Sequence, residues 1–130
     1  TYADLAERFA ADDVYDPGTV VQIGGAMEIT AVQYELSEDV FGVISNTAAY
    51  LMNAGAGNDS SHPPVAVSGR VEVKTIGKVR KGQRLISSAV PGVAMGMVDP
   101  NTNRFAVFGR ALEDSNDSGI KLVEAAVGVN

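Results

Sequence analysis

The chain has 130 residues, of which 45% are hydrophobic and 20% charged, and this composition predicts a single folded domain rather than a disordered segment. The net charge of −6 and the pI of about 4.6 disfavour nucleic-acid binding, because an acidic surface repels phosphate. The absence of cysteine excludes disulfides, thiolate metal sites and cysteine nucleophiles, and no apolar run approaches the length that membrane insertion requires.

The beginning of the chain differs in character from the rest. Residues 1–12 are interpreted as a junction segment to an absent upstream region, because the chain does not start with methionine, and residues 13–130 as one β-rich domain. Leu5, Phe9 and the alanines around them support at most a short helical turn in this segment.

Turns rich in glycine, proline and asparagine separate short β-branched segments along the remaining chain. Gly24 and Gly25 join the first two segments into a hairpin, and residues 48–52 are either a helical turn or a further strand. The longest predicted loop covers residues 53–64. The predicted strands, including the two of the hairpin, are residues 19–23, 27–32, 40–45, 65–75, 84–87, 92–98, 105–112 and 120–129. The predicted class is therefore all-β, a compact barrel or sandwich of about eight or nine short strands.

A weak internal repeat suggests two pseudo-symmetric halves. The tripeptide at residues 40–42 recurs at residues 107–109, and strand openings after Gly18 and Gly82 are separated by nearly the same distance. Chance similarity in a chain rich in glycine and valine is the alternative explanation.

Two carboxylates in the junction segment are the first candidates for chemistry. Asp4 and Glu7 can share acid and base roles if their surroundings separate their pKa values. A helix would place both on one face, whereas an extended chain would point them to opposite sides. The alternative is that both are solvated charges beside buried Leu5 and Phe9.

Other polar clusters give weaker indications. The single histidine, His62, has neither a second histidine nor a cysteine to complete a transition-metal site. The acidic cluster of Asp12, Asp13 and Asp16 and the oxygen-rich loop at residues 114–119 lack the spacing of a calcium-binding loop. We expect no metal and no cofactor.

Basic residues concentrate in one fifteen-residue span. They form either a solvated strand surface, or a contact for an anion, a glycan or the acidic surface of a neighbouring subunit. The residues are Arg70, Lys74, Lys78, Arg80, Lys81 and Arg84.

Short segments in a fixed order resemble the C-terminal region of bacteriophage tail-fibre and appendage proteins. The ordered set is similar to the peptidase G2 family, the intramolecular chaperone domains at the end of phage appendage proteins. The segments are residues 2–9, 16–21, 40–45, 67–73, 79–86 and 108–113.

The resemblance implies a structural, β-rich terminal module that promotes trimerisation and assembly of a fibre in the virion. Its implied partners are two further copies of the chain, an upstream fibre shaft and a host-surface receptor, without nucleic acid or membrane insertion. One alternative is a receptor- or glycan-binding tip that uses the loop at residues 53–64.

The other alternative is a self-cleaving chaperone, an autoprotease that acts in cis. Relatives of this kind are cut just before a D-x-A-E segment, which corresponds here to residues 4–7. Asp4 would then be the first residue after the cut and Glu7 the catalytic carboxylate. Tyr2 and Ala3 stand where those relatives carry a serine before the cut.

Overall fold

A computed structural model describes residues 3–130 as an all-β domain. Two 3-10 helices, η1 (Ala54–Ala56) and η2 (Arg104–Ala106), interrupt the strands, and no helix in the described range is long and apolar enough to cross a membrane. The strands are β1 (Asp4–Arg8), β2 (Val20–Ile23), β3 (Ile29–Ala31), β4 (Val40–Ile44), β5 (Ala48–Met52), β6 (Pro64–Ile76), β7 (Arg84–Ser87), β8 (Ala94–Gly96), β9 (Gly109–Ala111) and β10 (Ile120–Val127).

The strands form a closed barrel with a second layer of strands attached to it. Strands β6, β8, β7, β9 and β10 pair in that order, and the pairing of β10 with β6 closes the barrel. The other end of β6 pairs with β4, which continues into β2 and β3, and with β1, which pairs in parallel with β5. The thirteen-residue strand β6 therefore connects both parts of the domain.

Alternation along β6 produces the barrel core. Val71, Val73 and Thr75 are buried, while the charged residues between them face outward. Val123 on β10 and Leu85 on β7 join them inside the barrel, and both are fully buried. The all-β prediction and the pattern predicted for this strand are confirmed.

The segment around Leu5 and Phe9, for which at most a short helical turn was predicted, contains no helix. Residues 4–8 form β1, which hydrogen-bonds to a strand on each side, so pairing overrides the helix propensity of the alanines. This part of the predicted junction segment is thus built into the sheet and raises the strand number to ten. Thr1 and Tyr2 of that segment lie outside the described residues.

The structure shortens one predicted strand and decides between two alternatives for another segment. The strand predicted at residues 105–112 begins only at Gly109, because Arg104–Ala106 is a 3-10 helix whose preceding residue, Asn103, accepts a hydrogen bond from the Phe105 amide at 3.0 Å. Residues 48–52, for which a helical turn and a strand were both open, form strand β5.

The repeated tripeptides share one local feature. A Cβ on Gly42 would lie 2.6 Å from the Ala66 carbonyl oxygen, and a Cβ on Gly109 would lie 2.5 Å from the Ala126 carbonyl oxygen. Each glycine thus allows close approach of an antiparallel neighbour. Duplication of the two halves as a whole stays a prediction.

Lys121 joins the end of the barrel to the turn after β6. Its Nζ donates to the carbonyl oxygens of Asp117 at 2.6 Å and Gly119 at 3.4 Å, and also to that of Gly77. We expect Lys121→Met to lower the free energy of unfolding by about 2 kcal/mol, because the carbonyls lose a charged donor. Urea denaturation measures this loss, and the exposed Lys78→Met serves as control. Equal losses in the two variants would contradict the role of the carbonyl cluster.

Candidate functional site

Asp4 is a buried carboxylate at the start of β1. Its side chain is 1% exposed, and its two oxygens accept hydrogen bonds from the Ser45 hydroxyl at 2.8 Å and the Thr47 hydroxyl at 2.9 Å. Both hydroxyls come from the connection between β4 and β5, which brings them beside β1. No ion pair to Asp4 occurs within residues 3–130, so hydroxyl groups alone satisfy this buried charge.

The peptide bond before Asp4 packs closely against β6. Asp4 lies opposite Gly69, and a Cβ on Gly69 would come within 2.5 Å of the Ala3 carbonyl oxygen. That oxygen accepts a hydrogen bond from the Arg70 amide at 3.3 Å. The Ala3–Asp4 bond is therefore fixed in position by the backbone of β6.

A groove of about 230 Å³ is lined by residues of β6 and β10 together with Thr47, and neither Ala3 nor Asp4 lines it. Its lining includes Thr47, which binds Asp4, and Arg70, whose amide binds Ala3. Glu72 and Glu124 complete the groove from adjacent strands, and the Arg70 guanidinium pairs with Glu124 at 3.2 Å. The groove is therefore a polar space that reaches the hydrogen-bonding partners of Ala3 and Asp4, but the peptide bond between these two residues does not line it.

Glu7 lies on the same strand but away from the groove. Burial alternates along β1, so Asp4 and Ala6 point inward while Glu7 is half-buried on the other side, opposite Met52 of β5. Three strand residues separate the two carboxylates by about 10 Å. The structure therefore does not bring Asp4 and Glu7 together as a pair.

Arg8 ties the predicted long loop to β1. Its guanidinium donates to the Ala54 carbonyl at 3.0 Å, to the His62 carbonyl at 2.8 Å and to Asp59 at 2.7 Å. The ring of His62, the only histidine, accepts or donates only to the neighbouring Ser61 hydroxyl within the described residues. The loop is thus a structural cover over the end of β1.

The acidic residues at positions 12 to 16 make local contacts. Asp12 accepts a hydrogen bond from the Tyr15 hydroxyl, Asp13 accepts one from the Val14 amide at 2.8 Å, and Asp16 pairs with Lys74 at 3.7 Å. These contacts shape the turn that leads into β2.

Tyr15 links this turn to β3 and has a perturbed ionisation. Burial raises the pKa of the Tyr15 phenol above its usual value of 10. The Asp12 carboxylate, which accepts a hydrogen bond from the phenol, raises this pKa further. A raised pKa in the folded state means that stability falls as the pH rises from about 10 towards the folded value, since only the unfolded chain has then lost the proton. We expect this alkaline decline in urea denaturation to be smaller in Tyr15→Phe. An unchanged decline would contradict the assignment.

The oxygen-rich loop at residues 114–119 makes hydrogen bonds to backbone amides. Asp114 accepts a hydrogen bond from the Lys81 amide at 2.7 Å, and Asp117 accepts one from the Gly119 amide at 2.8 Å. Across residues 3–130, no three acidic or histidine side chains converge as metal ligands would. Among the clustered basic residues, Arg70 and Lys74 form ion pairs on the outer face of β6.

Four residues around Asp4 were absent from the sequence-based predictions of a site: Ser45, Thr47, Gly69 and Arg70 in its contact with Ala3. Ser45 and Thr47 are more than forty residues from Asp4, and no local spacing connects them. Gly69 carried a usable signal, because a glycine inside a strand pattern indicates a close backbone approach.

Comparison with known proteins identifies the fold. No protein-family model and no curated protein sequence matches the chain. The structure of pre-mature bacteriophage phi29 gene product 12 superposes with a TM-score of 0.69 at 17% identity over 98% of this chain. The chain spans only 22% of the length of that protein.

Two further phage structures are similar. The C-terminal fragment of phi29 gene product 12 superposes with a TM-score of 0.66 at 17% identity, covering 95% of this chain and 99% of the fragment. The N base of the phi29 head fiber protein gp8.5 gives a TM-score of 0.55 at 17% identity, covering 92% of this chain and 90% of that one. The chain therefore shares its fold with these three structures of bacteriophage phi29 proteins.

Proposed function

We propose that the chain is the terminal β-domain of a phage fibre or appendage in the virion, and that it promotes assembly of a homotrimer. The observation that supports this proposal most directly is the superposition on the C-terminal fragment of phi29 gene product 12, which covers almost the whole of each chain. The trimer itself is what the resemblance to phage appendage domains implies.

The test is the oligomeric state of the chain joined to its natural upstream sequence. Size-exclusion chromatography with light scattering at micromolar concentration should give the mass of three chains. A strictly monomeric species would overturn the trimer proposal. The same measurement on residues 1–130 alone reveals whether the domain suffices or the shaft is needed.

Self-cleavage before Asp4 is a second candidate, favoured by the geometry of the Ala3–Asp4 bond. Gly69 and the Arg70 amide fix this bond in the sheet, and a groove is lined by Thr47 and Arg70, which bind Asp4 and Ala3. One neighbour is described as pre-mature and another as a C-terminal fragment, which fits a domain released on maturation. The resemblance to the peptidase G2 family is a further reason for this candidate.

In such a hydrolysis, water adds its oxygen to the Ala3 carbonyl carbon and the Asp4 nitrogen leaves as an amine. The Arg70 amide would stabilise the negative charge that develops on the Ala3 oxygen. Asp4 is the nearest carboxylate along the chain, whereas Glu7, the catalytic residue that the resemblance implies, points to the other side of β1.

Mass spectrometry after expression with the natural upstream sequence tests cleavage. A product that begins at Asp4 supports it, and Asp4→Asn and Glu7→Gln then measure which carboxylate the reaction needs. An intact wild-type chain would overturn self-cleavage without affecting the trimer proposal. Asp13→Asn is the matched control, because its carboxylate contacts only the adjacent amide of Val14.

A further inference from the structure

Strand β5 is an open edge of the sheet. It pairs in parallel with β1, and among the described residues no strand lies on its other side. The other terminal strand of the sheet, β3, is covered, because the Ile29 amide donates to the Ala10 carbonyl at 3.0 Å and Ala11 bridges to Ile29. The β5 edge therefore offers backbone donors and acceptors to a further chain.

This edge carries neither a charged residue nor a proline, two of the devices that prevent strand addition. Residues 46–58 contain no charged residue and no proline, although one residue in five of the whole chain is charged. Exposed edges of soluble proteins are commonly protected by charged side chains or proline. The absence of both indicates that the edge is covered in the assembled protein.

The sheet face next to this edge carries exposed apolar side chains beside the half-buried Glu7. Tyr50 and Leu5 lie opposite each other on the paired strands and are 66% and 37% exposed. Met52, opposite Glu7, extends the same face and is half-buried. An exposed tyrosine flanked by aliphatic side chains is typical of the centre of a protein interface.

We infer that β5 and the Leu5–Tyr50 face form the contact between neighbouring copies of this chain. The inference rests on the proposed fibre trimer, in which the upstream shaft of each copy leads into its domain through β1. Asp4 lies opposite Ala48, so β5 is one strand spacing, about 4.8 Å, from that path. In a threefold ring, β5 of one copy meets a different surface of the next copy, since such contacts are heterologous.

The first test changes the charge of this surface. Tyr50→Lys places a charge at the centre of the proposed contact, and its exposure predicts little effect on the fold of a single copy. Val98→Lys is the control, because Val98 is an apolar residue with 87% exposure elsewhere on the surface. In the chain with its upstream sequence, light scattering should show an association at least tenfold weaker for Tyr50→Lys and unchanged for the control.

The second test uses the absence of cysteine. Ala49→Cys introduces a single thiol on the edge, and Val98→Cys introduces one at the control position. In the assembled protein, a maleimide should label Ala49→Cys at least tenfold more slowly than Val98→Cys, because the contact covers the edge. A trimer that tolerates Tyr50→Lys and is labelled equally fast at positions 49 and 98 overturns this inference alone, whereas a monomeric wild-type protein overturns the proposed function with it.

Discussion

Gly69→Ala should destabilise the domain by about 3 kcal/mol, the combined effect of backbone strain and a steric clash. Gly69 has a φ of +103°, where a side chain is disfavoured, and its Cβ would lie 2.5 Å from the Ala3 carbonyl oxygen. Relief of the clash requires β1 to move away from β6. Urea denaturation measures the loss, provided that the dependence on denaturant is unchanged.

Gly77→Ala is the matched control for this substitution. Gly77 has a φ of +82°, but no atom lies within 4 Å of the place that a Cβ would occupy, so only the backbone strain of about 1 kcal/mol applies. Equal losses in the two variants would contradict the close packing of the Ala3–Asp4 peptide on β6.

Asp4→Ala should lower the free energy of unfolding by about 3 kcal/mol, because the buried Ser45 hydroxyl and the partly buried Thr47 hydroxyl lose a charged acceptor. Ser45→Ala should cost about 2 kcal/mol, since the carboxylate stays buried with one donor fewer. The double variant should lose less than the sum, and the difference gives the coupling between the two side chains. Calorimetry or urea denaturation of all four proteins completes the cycle.

Asp13→Ala is the control, because Asp13 is exposed and should change stability by less than about 0.5 kcal/mol. Strict additivity of Asp4→Ala and Ser45→Ala would show that the carboxylate does not depend on the serine hydroxyl. The cycle concerns stability only, so its result is independent of whether the chain cleaves itself.

Two kinds of local sequence pattern, the alternation of apolar and polar residues and the glycine pairs at turns, predicted much of the fold. The alternation in residues 70–75 and the diglycine between β2 and β3 are local signals, and each corresponds to a strand or hairpin in the structure. Strand β1 could not be predicted in this way. Leu5 and Phe9 have helical spacing, and only the distant strands β5 and β6, which pair with both sides of β1, impose the extended form.

The surroundings of Asp4 were beyond local prediction for a similar reason. The sequence identified Asp4 and Glu7 by their spacing, but the strand conformation separates them and the partners of Asp4 come from the turn between β4 and β5. Spacing in a sequence can place two residues on one element, whereas the burial of one of them depends on which elements meet there.

The pairing of β1 also has a consequence for the order of folding. Every strand partner of β1 lies more than forty residues later in the chain, and β6 is needed by both the barrel and the attached layer. During synthesis, β1 therefore has no strand partner until β5 has left the ribosome, and its other side stays unpaired until residue 69 has followed. Such non-local pairing slows folding, and a substitution that delays β6 should prolong the period in which β1 can aggregate.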